Sequence, residues 1–287
     1  MSVSSRQEAP PATPELRPVG GRPNLGTYLR QLWARRYFIY ADSRAKAFSG
    51  NRDMLLGNVW LIGVPVLQGL VYFIIFGLVL QTTRGIENFT GFLIIGIFLF
   101  RFTTACLNQA VSVMSGSRGL TSAFSFPRAA IPISVAVRQT LSMAPVLATM
   151  VILLLVIPPG TQITLTWLLF PLVFALQVAF NAGLICYMAR LGAAVPDFRH
   201  VMSFLARFWF YTSGVFFSIE RFVSDGIWLA IFQGNPMYLV LDMSRDLLLY
   251  DTVPELNSWL ILSVWAVLTP LLGFWYFWQG EESYGQL

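Results

Sequence analysis

Residues 89–114 read FTGFLIIGIFLFRFTTACLNQAVSVM, and Arg101 is the one charged position among them. Apolar side chains fall on every side of this segment, not along one stripe. As a helix it has no face for water and belongs in a bilayer or a protein interior. The rest of the chain decides for the bilayer. Of 287 residues, 56% are apolar and 11% charged, with 24 Phe and 9 Trp, whereas a soluble domain is about one quarter charged. Five further stretches come near the roughly 20 residues that a crossing needs: 54–81, 131–157, 164–190, 201–218 and 257–278. The sequence predicts an all-α integral membrane protein with six transmembrane helices, with Pro65, Pro145 and Pro171 kinking three of them.

The loops set an orientation. With the amino terminus inside, segments 1–53, 115–130, 191–200 and the tail after 278 hold nine basic residues before position 54, then Arg118, Arg128, Arg190 and Arg199. The opposite loops hold Arg84, Arg221 and Arg245 among Glu87, Glu220, Asp225, Asp242, Asp246, Asp251 and Glu255. The positive-inside rule then predicts a multi-pass protein of the plasma membrane with both termini cytoplasmic.

Residues 1–24, rich in Pro, Ser, Gly and Arg, read as a flexible cytoplasmic tail. Residues 25–52 place Leu25, Tyr28, Leu29, Leu32 and Trp33 at helical spacing against Arg30, Arg35, Arg44 and Lys46. An amphipathic helix in the headgroup layer fits that pattern, ahead of a six-helix domain over 53–287. The moderately apolar 219–256 is broken at Gly234-Asn235-Pro236, so each half is too short to cross. It is expected to form re-entrant or interfacial helices shaping an exit, or an ordinary outer lid.

Composition also excludes chemistry. Lys46 is the only lysine and Ala47 follows it, so the chain has no G-x-x-x-x-G-K-[ST] phosphate loop. Energised work would need a second chain. Cys106 and Cys186 both lie in apolar runs and are expected to be inert, unbridged thiols. The sole histidine, His200, sits beside Arg199, and no metal site, catalytic triad or carboxylate pair can be assembled at membrane depth. The expectation is a transport subunit without catalysis or a cofactor of its own. The basic residues cluster at the expected cytoplasmic side, which gives no reason to invoke nucleic acid.

Three arginines remain. Arg101, Arg138 and Arg207 fall within or at the edges of spans, where guanidinium faces a bundle interior or water, or snorkels to an interface. Lining a conduit, they would meet an anionic substrate group. Phe98, Phe102, Trp60, Tyr72, Phe208, Trp209 and Tyr211 surround them. Packing and headgroup belts account for most such aromatics, and stacking on sugar rings is the functional alternative. The short loop with Arg118, Leu120, Phe124, Phe126, Pro127 and Arg128 is a candidate for docking a motor, or is a tight turn. The 191–200 turn with Asp197, Arg199 and His200 is a second possible contact.

Several features in order carry a resemblance: a basic interfacial helix, Phe126-Pro127-Arg128 with Ile131-Pro132, Asp197-Phe198-Arg199, Asn235-Pro236 before Arg245 and Leu248-Leu249, and a Phe-Trp ending with Glu281-Glu282 and Tyr284. Over roughly residues 25–287 the chain resembles the permease subunits of type-2 ABC exporters of lipid-linked polysaccharide, those for O-antigen, teichoic acid and actinobacterial galactan. The resemblance implies a homodimer above two copies of an ABC ATPase, with ATP and Mg bound in that partner. It implies a polyprenyl-diphosphate-linked glycan as cargo, 115–126 as a coupling helix, and outer gate helices carrying Trp228, Asn235, Pro236, Tyr238 and Arg245. One departure is that Ser122 and Ala123 stand where family members often carry a basic residue, and the charge is at Arg118. The alternatives are an exporter of drugs or small lipids on the same fold, and a membrane enzyme acting on lipid-linked sugars.

Overall fold

The computed structural model describes residues 24–49, 59–75, 86, 88–117, 127–158, 160–195, 197–218, 226–281 and 284. The described fold is all α. Helices α1 (Leu25–Ala34) and α2 (Arg36–Ser49) meet at Arg35. They are followed by α3 (Trp60–Tyr72), α4 (Phe89–Gly116) and α5 (Ala130–Val156). A 3₁₀ turn, Leu165–Leu169, runs into α6 (Phe170–Ala194), so Pro171 lies in a first helical turn where a missing N–H costs nothing, and not at a kink. Helices α7 (Phe198–Thr212), α8 (Gly226–Gln233), α9 (Pro236–Leu248) and α10 (Leu256–Gln279) complete the chain.

The expectation of six spans with re-entrant outer helices is corrected. Among the described residues four helical segments are long and apolar enough to cross: Phe89–Gly116, Ala130–Val156, Leu165–Ala194 and Leu256–Gln279. The first expected span contains α3, whose 13 residues rise about 20 Å against a core of about 30 Å. The fifth contains α7, 15 residues long, which buries Met202 and Ala206, leaves Val201, Phe204, Leu205 and Phe208 exposed, and stops before Gly214 at φ +67°. The expected re-entrant pair is the eight-residue α8 and the 13-residue α9, and α9 is a core helix. Met237, Tyr238, Leu239, Val240, Leu241, Met243, Leu247 and Leu248 are all buried against the bundle. Hydropathy is high for a segment inside protein as well as for one in lipid, and that ambiguity produced the error.

Helix α4 is the axis of the bundle. Every residue from Phe89 to Phe100 is buried, as expected for a helix apolar all round. Helix α6 packs most extensively on α10 and α4, with α5 against α4, α2 and α3. Glycines allow the closest approaches. A Cβ on Gly183 would overlap the Thr269 carbonyl of α10, one on Gly273 would overlap the Gly183 carbonyl, and one on Gly192 would overlap Val111 of α4. Small residues at crossings, and not a hydrophobic drive between helices, allow tight packing in lipid. Gln177 adds polar glue across α6 and α4, its side-chain amide donating to the Leu99 carbonyl (2.9 Å) and to Thr103 Oγ1 (3.1 Å).

Gly183→Val should therefore separate α6 from α10 and cost about 3 kcal/mol through overpacking, read as a lower thermal midpoint of the detergent-purified protein. Gly26→Ala, where nothing lies within 4 Å of the added carbon, should leave that midpoint unchanged.

Candidate functional site

The arginines that the sequence singles out do not converge on one point. Two of them mark a track between α4 and α5. Along α4, Arg101, Ala105, Gln109 and Ser112 recur at helical spacing and stand on one side of an otherwise apolar helix. The first cavity on this side, of about 260 Å³, is lined by Arg101, Phe98, Phe102, Trp60, Gln139 and Ser142 among others. Arg101 is exposed into it and donates to Gln68 Oε1 of α3. The second cavity, of about 250 Å³, lies nearer the end of the bundle that carries α2 and is lined by Arg138, Gln109, Ser112, Ser134, Asp42 and Lys46 among others. Eight residues of helix separate Arg101 from Gln109, about 12 Å along the axis.

The lower cavity is held by α2. Ser43 donates to the Ser134 carbonyl (3.0 Å), and Lys46 pairs with Asp42 at 2.9 Å. Arg138 is half-buried, and its Nε is buried with no hydrogen-bond partner. A guanidinium with a donor unspent, beside a second cation and hydroxyl and amide donors, suits a phosphate-bearing ligand. Sequence reasoning missed Gln68, Gln109, Ser112, Ser134 and Gln139. The signal for the α4 members was there, in Gln109 and Ser112 about two and three turns below Arg101 on the same side.

The other conduit candidates lie elsewhere. Arg207, Phe208 and Tyr211 are exposed on α7, away from both cavities. Trp209 is a packing anchor, edge-on to Phe100 (5.8 Å) and Phe180 (6.2 Å). The side chain of Tyr72 lies outside the described residues. Among the coupling candidates, Arg118, Leu120, Phe124 and Phe126 also lie outside them. Asp197 and Arg199 are exposed, and Arg199 shares a surface cavity with Asn108 and His200.

Pro127, Arg128 and Ala129 enter a clasp. Tyr28 of α1 is fully buried, donates to Glu281 Oε2 (2.7 Å) and accepts from the Ala129 N–H (2.9 Å). Glu281 Oε1 accepts from the Arg128 N–H (3.0 Å), and the Arg128 guanidinium donates to the Glu281 carbonyl. Burial pushes the Glu281 carboxyl above the usual carboxylate range, against the opposing pull of those hydrogen bonds and the Arg128 charge. Tyr284 stacks on Phe277 at 4.8 Å. The start of the described chain, its end and the entry into α5 thus meet at one end of the bundle.

The residues expected as an outer gate are instead a junction. Asn235 Oδ1 caps α9 by accepting from the Met237 N–H (3.1 Å) and also accepts from Trp209 Nε1 (2.9 Å), while its Nδ2 donates to Ser213 Oγ (3.1 Å). Pro236 opens α9, and Tyr238 is buried. Arg245 is buried with its guanidinium 3.3 Å from the Phe92 ring centroid. It donates to the carbonyls of Gly214 (3.1 Å) and Val215 (3.2 Å), just past the end of α7, and to that of Phe92 (3.3 Å) in α4. Gly96 makes the space, since a Cβ there would fall 2.7 Å from Arg245 Nη2. The side chain of Trp228 lies outside the described residues.

Comparison with known proteins follows this geometry. The sequence profile of the ABC-2 type transporter family matches residues 49–249. The chain is 23% identical over 240 residues to the O-antigen export system permease protein RfbA of Myxococcus xanthus, covering 84% of this chain and 91% of that protein. It is 26% identical over 203 residues to an RfbA of Klebsiella pneumoniae, covering 70% and 76%. It is also 23% identical over 231 residues to the polysialic acid transport protein KpsM of Escherichia coli, covering 79% and 87%.

Arg245→Met should strand the Gly214 and Val215 carbonyls and cost about 3 kcal/mol or more, seen as loss of a monodisperse peak after detergent extraction. Arg245→Lys should not restore it, because an ammonium does not span the fork. Tyr28→Phe removes one hydroxyl from the clasp and should cost about 1–3 kcal/mol, measured as a lower thermal midpoint.

Proposed function

The chain belongs to the ABC-2 type transporter family, and we propose that it is the membrane-spanning permease of an ATP-driven exporter that moves a polyprenyl-diphosphate-linked polysaccharide, galactan-like or O-antigen-like, out of the cytoplasm. It is a transport subunit and not an enzyme. Its single lysine, Lys46, lies in no phosphate loop, so nucleotide hydrolysis falls to a separate ABC ATPase, two copies serving a homodimer of this chain. Loop 115–126 is the docking segment for that motor.

The observation that carries the reading is the basic track. Two guanidinium groups lie one above the other beside cavities of about 250 and 260 Å³, between helices that cross the membrane. A lipid diphosphate enters from the inner leaflet past the exposed aromatics Trp33, Tyr37 and Phe38 of α1 and α2. Its phosphates reach Arg138 first and Arg101 second. The clasp end of the bundle faces the cytoplasm, consistent with the loop charges. The exposed apolar side of α7, with Phe204, Phe208 and Tyr211, is left for the second copy, and the glycan threads between the two copies. ATP closure in the motor drives the cycle through the loop that exits at Arg128.

Arg101→Ala and Arg138→Ala should each lower glycan export at least about tenfold at normal protein levels, scored as surface glycan in cells lacking the native copy. Unchanged export by both variants would remove the track from the mechanism. Tagged protein extracted gently from native membranes should co-purify with a stoichiometric ATPase, lost on Leu120→Asp with Phe124→Asp. No ATPase under those conditions would overturn the exporter reading.

A further inference from the structure

At the end of the bundle opposite the clasp lies a third cavity, of about 410 Å³, many times the roughly 30 Å³ share of a water molecule. Its wall comes from four places in the sequence: Asn88 before α4, Thr161, Gln162 and Thr164 between α5 and the 3₁₀ turn, Trp167 in that turn, and Asp251 after α9. We propose that this cavity is a subsite for a neutral saccharide unit, occupied as the glycan leaves the protein. The proposal rests on the exporter reading for its orientation, which puts this end outside. The chemistry of the cavity stands apart from that reading.

The lining is that of a polyol site. Trp167 supplies an aromatic surface, and Asn88 and Gln162 supply amides that both donate and accept. Asp251 supplies a carboxylate, which only accepts. No lysine or arginine lines the cavity among the described residues. Sugar hydroxyls donate to a carboxylate, whereas a phosphate or a sialic acid would be repelled by it and would find no counter-charge among the described lining residues. The site therefore selects neutral sugars over anionic ones, a discrimination that the basic track does not make.

The backbone supports the role of Asp251. It takes φ +52°, and among the described residues it is the only non-glycine with a positive φ. The position follows a helix end, where glycine fits without steric cost. Aspartate is one of the few side chains that take this conformation readily. What aspartate adds is a carboxylate at the cavity, steadied by Thr166. The Thr166 hydroxyl lies 3.0 Å from Asp251 Oδ1, 2.9 Å from the Leu247 carbonyl and 2.7 Å from the Thr164 hydroxyl. Thr166 has one proton for those acceptors, and a carboxylate has about four acceptor positions. Asp251 is exposed and keeps capacity for ligand hydroxyls.

The test uses the full chain with its ATPase in lipid nanodiscs and saturation-transfer NMR, with a galactose tetrasaccharide and a sialic acid tetramer as probes. The neutral probe should bind about tenfold more tightly than the anionic one. Trp167→Ala and Asp251→Gly should each weaken it by about tenfold. Asp251→Gly should melt no lower than the wild type, because glycine suits the left-handed conformation. Equal binding of the two probes, unchanged binding in both variants, or no wild-type binding at millimolar concentration would overturn the subsite. Transport of lipid-linked glycan into proteoliposomes is scored on the same preparation. Transport without saccharide binding refutes the subsite alone, and saccharide binding without transport or ATPase association refutes the exporter reading alone.

Discussion

Arg245 is the interaction on which the interior depends. In a medium without water every carbonyl must find a donor inside the protein, and α7 stops where Gly214 and Val215 present carbonyls to the bundle. One planar fork reaches those two and the Phe92 carbonyl of the axial helix together. The Phe92 ring covers the cation at 3.3 Å, and Gly96 makes room for it. With that satisfied, α9 can lie buried across α4 and α6 and carry Met237, Leu241 and Leu248 into the core. Asn235 completes the join by tying Trp209 and Ser213 to the first turn of α9. A buried charge is a poor route to stability when its partner is another charge. Here its partners are two carbonyls past the end of α7 that would otherwise be stranded, and the Phe92 carbonyl of α4.

The same economy shapes the two ends. At the clasp, residues more than 250 positions apart are joined through one tyrosine hydroxyl. The amino-terminal helix, the tail and Arg128, at the exit of the 115–126 loop, are therefore tied to one another. At the opposite end Thr161, Gln162 and Thr164 after α5 and Asp251 after α9 line the cavity beside Trp167. The bundle between the two ends is closed by glycine crossings of α6 with α10 and α4, at the close packing density of a protein interior.

Much of this was legible in the sequence, and what was not has a physical reason. The family rests on matched residues 49–249, which include the Phe126-Pro127-Arg128 and Asn235-Pro236 motifs of the resemblance, while its Glu281 ending lies beyond them. The polar partners of those motifs were not legible. Nothing near Glu281 in sequence points to Tyr28, because the contact is set by the packing of α1 on α10. The span count failed at α3 and α7, where hydropathy alone was read as depth, and the 219–256 segment read as re-entrant holds the buried α9. Helix α7 shows its one-sidedness in sequence, with Met202 and Ala206 against Phe204 and Phe208. Helix α9 places Asp242, Arg245 and Asp246 on one side in sequence, and it is Arg245 that misleads, because it is buried while the two aspartates are only half-buried. Arg101 and Arg138 were found because charge in an apolar run is costly. Arg207 was selected by the same rule, yet it lies exposed on α7.

In the proposed exporter, two modest cation sites would serve an anionic lipid headgroup better than one strong site, which would hold a diphosphate tightly and release it slowly. The lower cavity carries Arg138 and Lys46, and Lys46 is already paired with Asp42 at 2.9 Å, so an arriving anion would compete there with a resident carboxylate. In the upper cavity Arg101 donates to Gln68, a neutral partner, and no carboxylate stands among the described lining residues. A diphosphate handed from the lower cavity to the upper would keep a guanidinium beside it at both stations and would not face lipid unpaired.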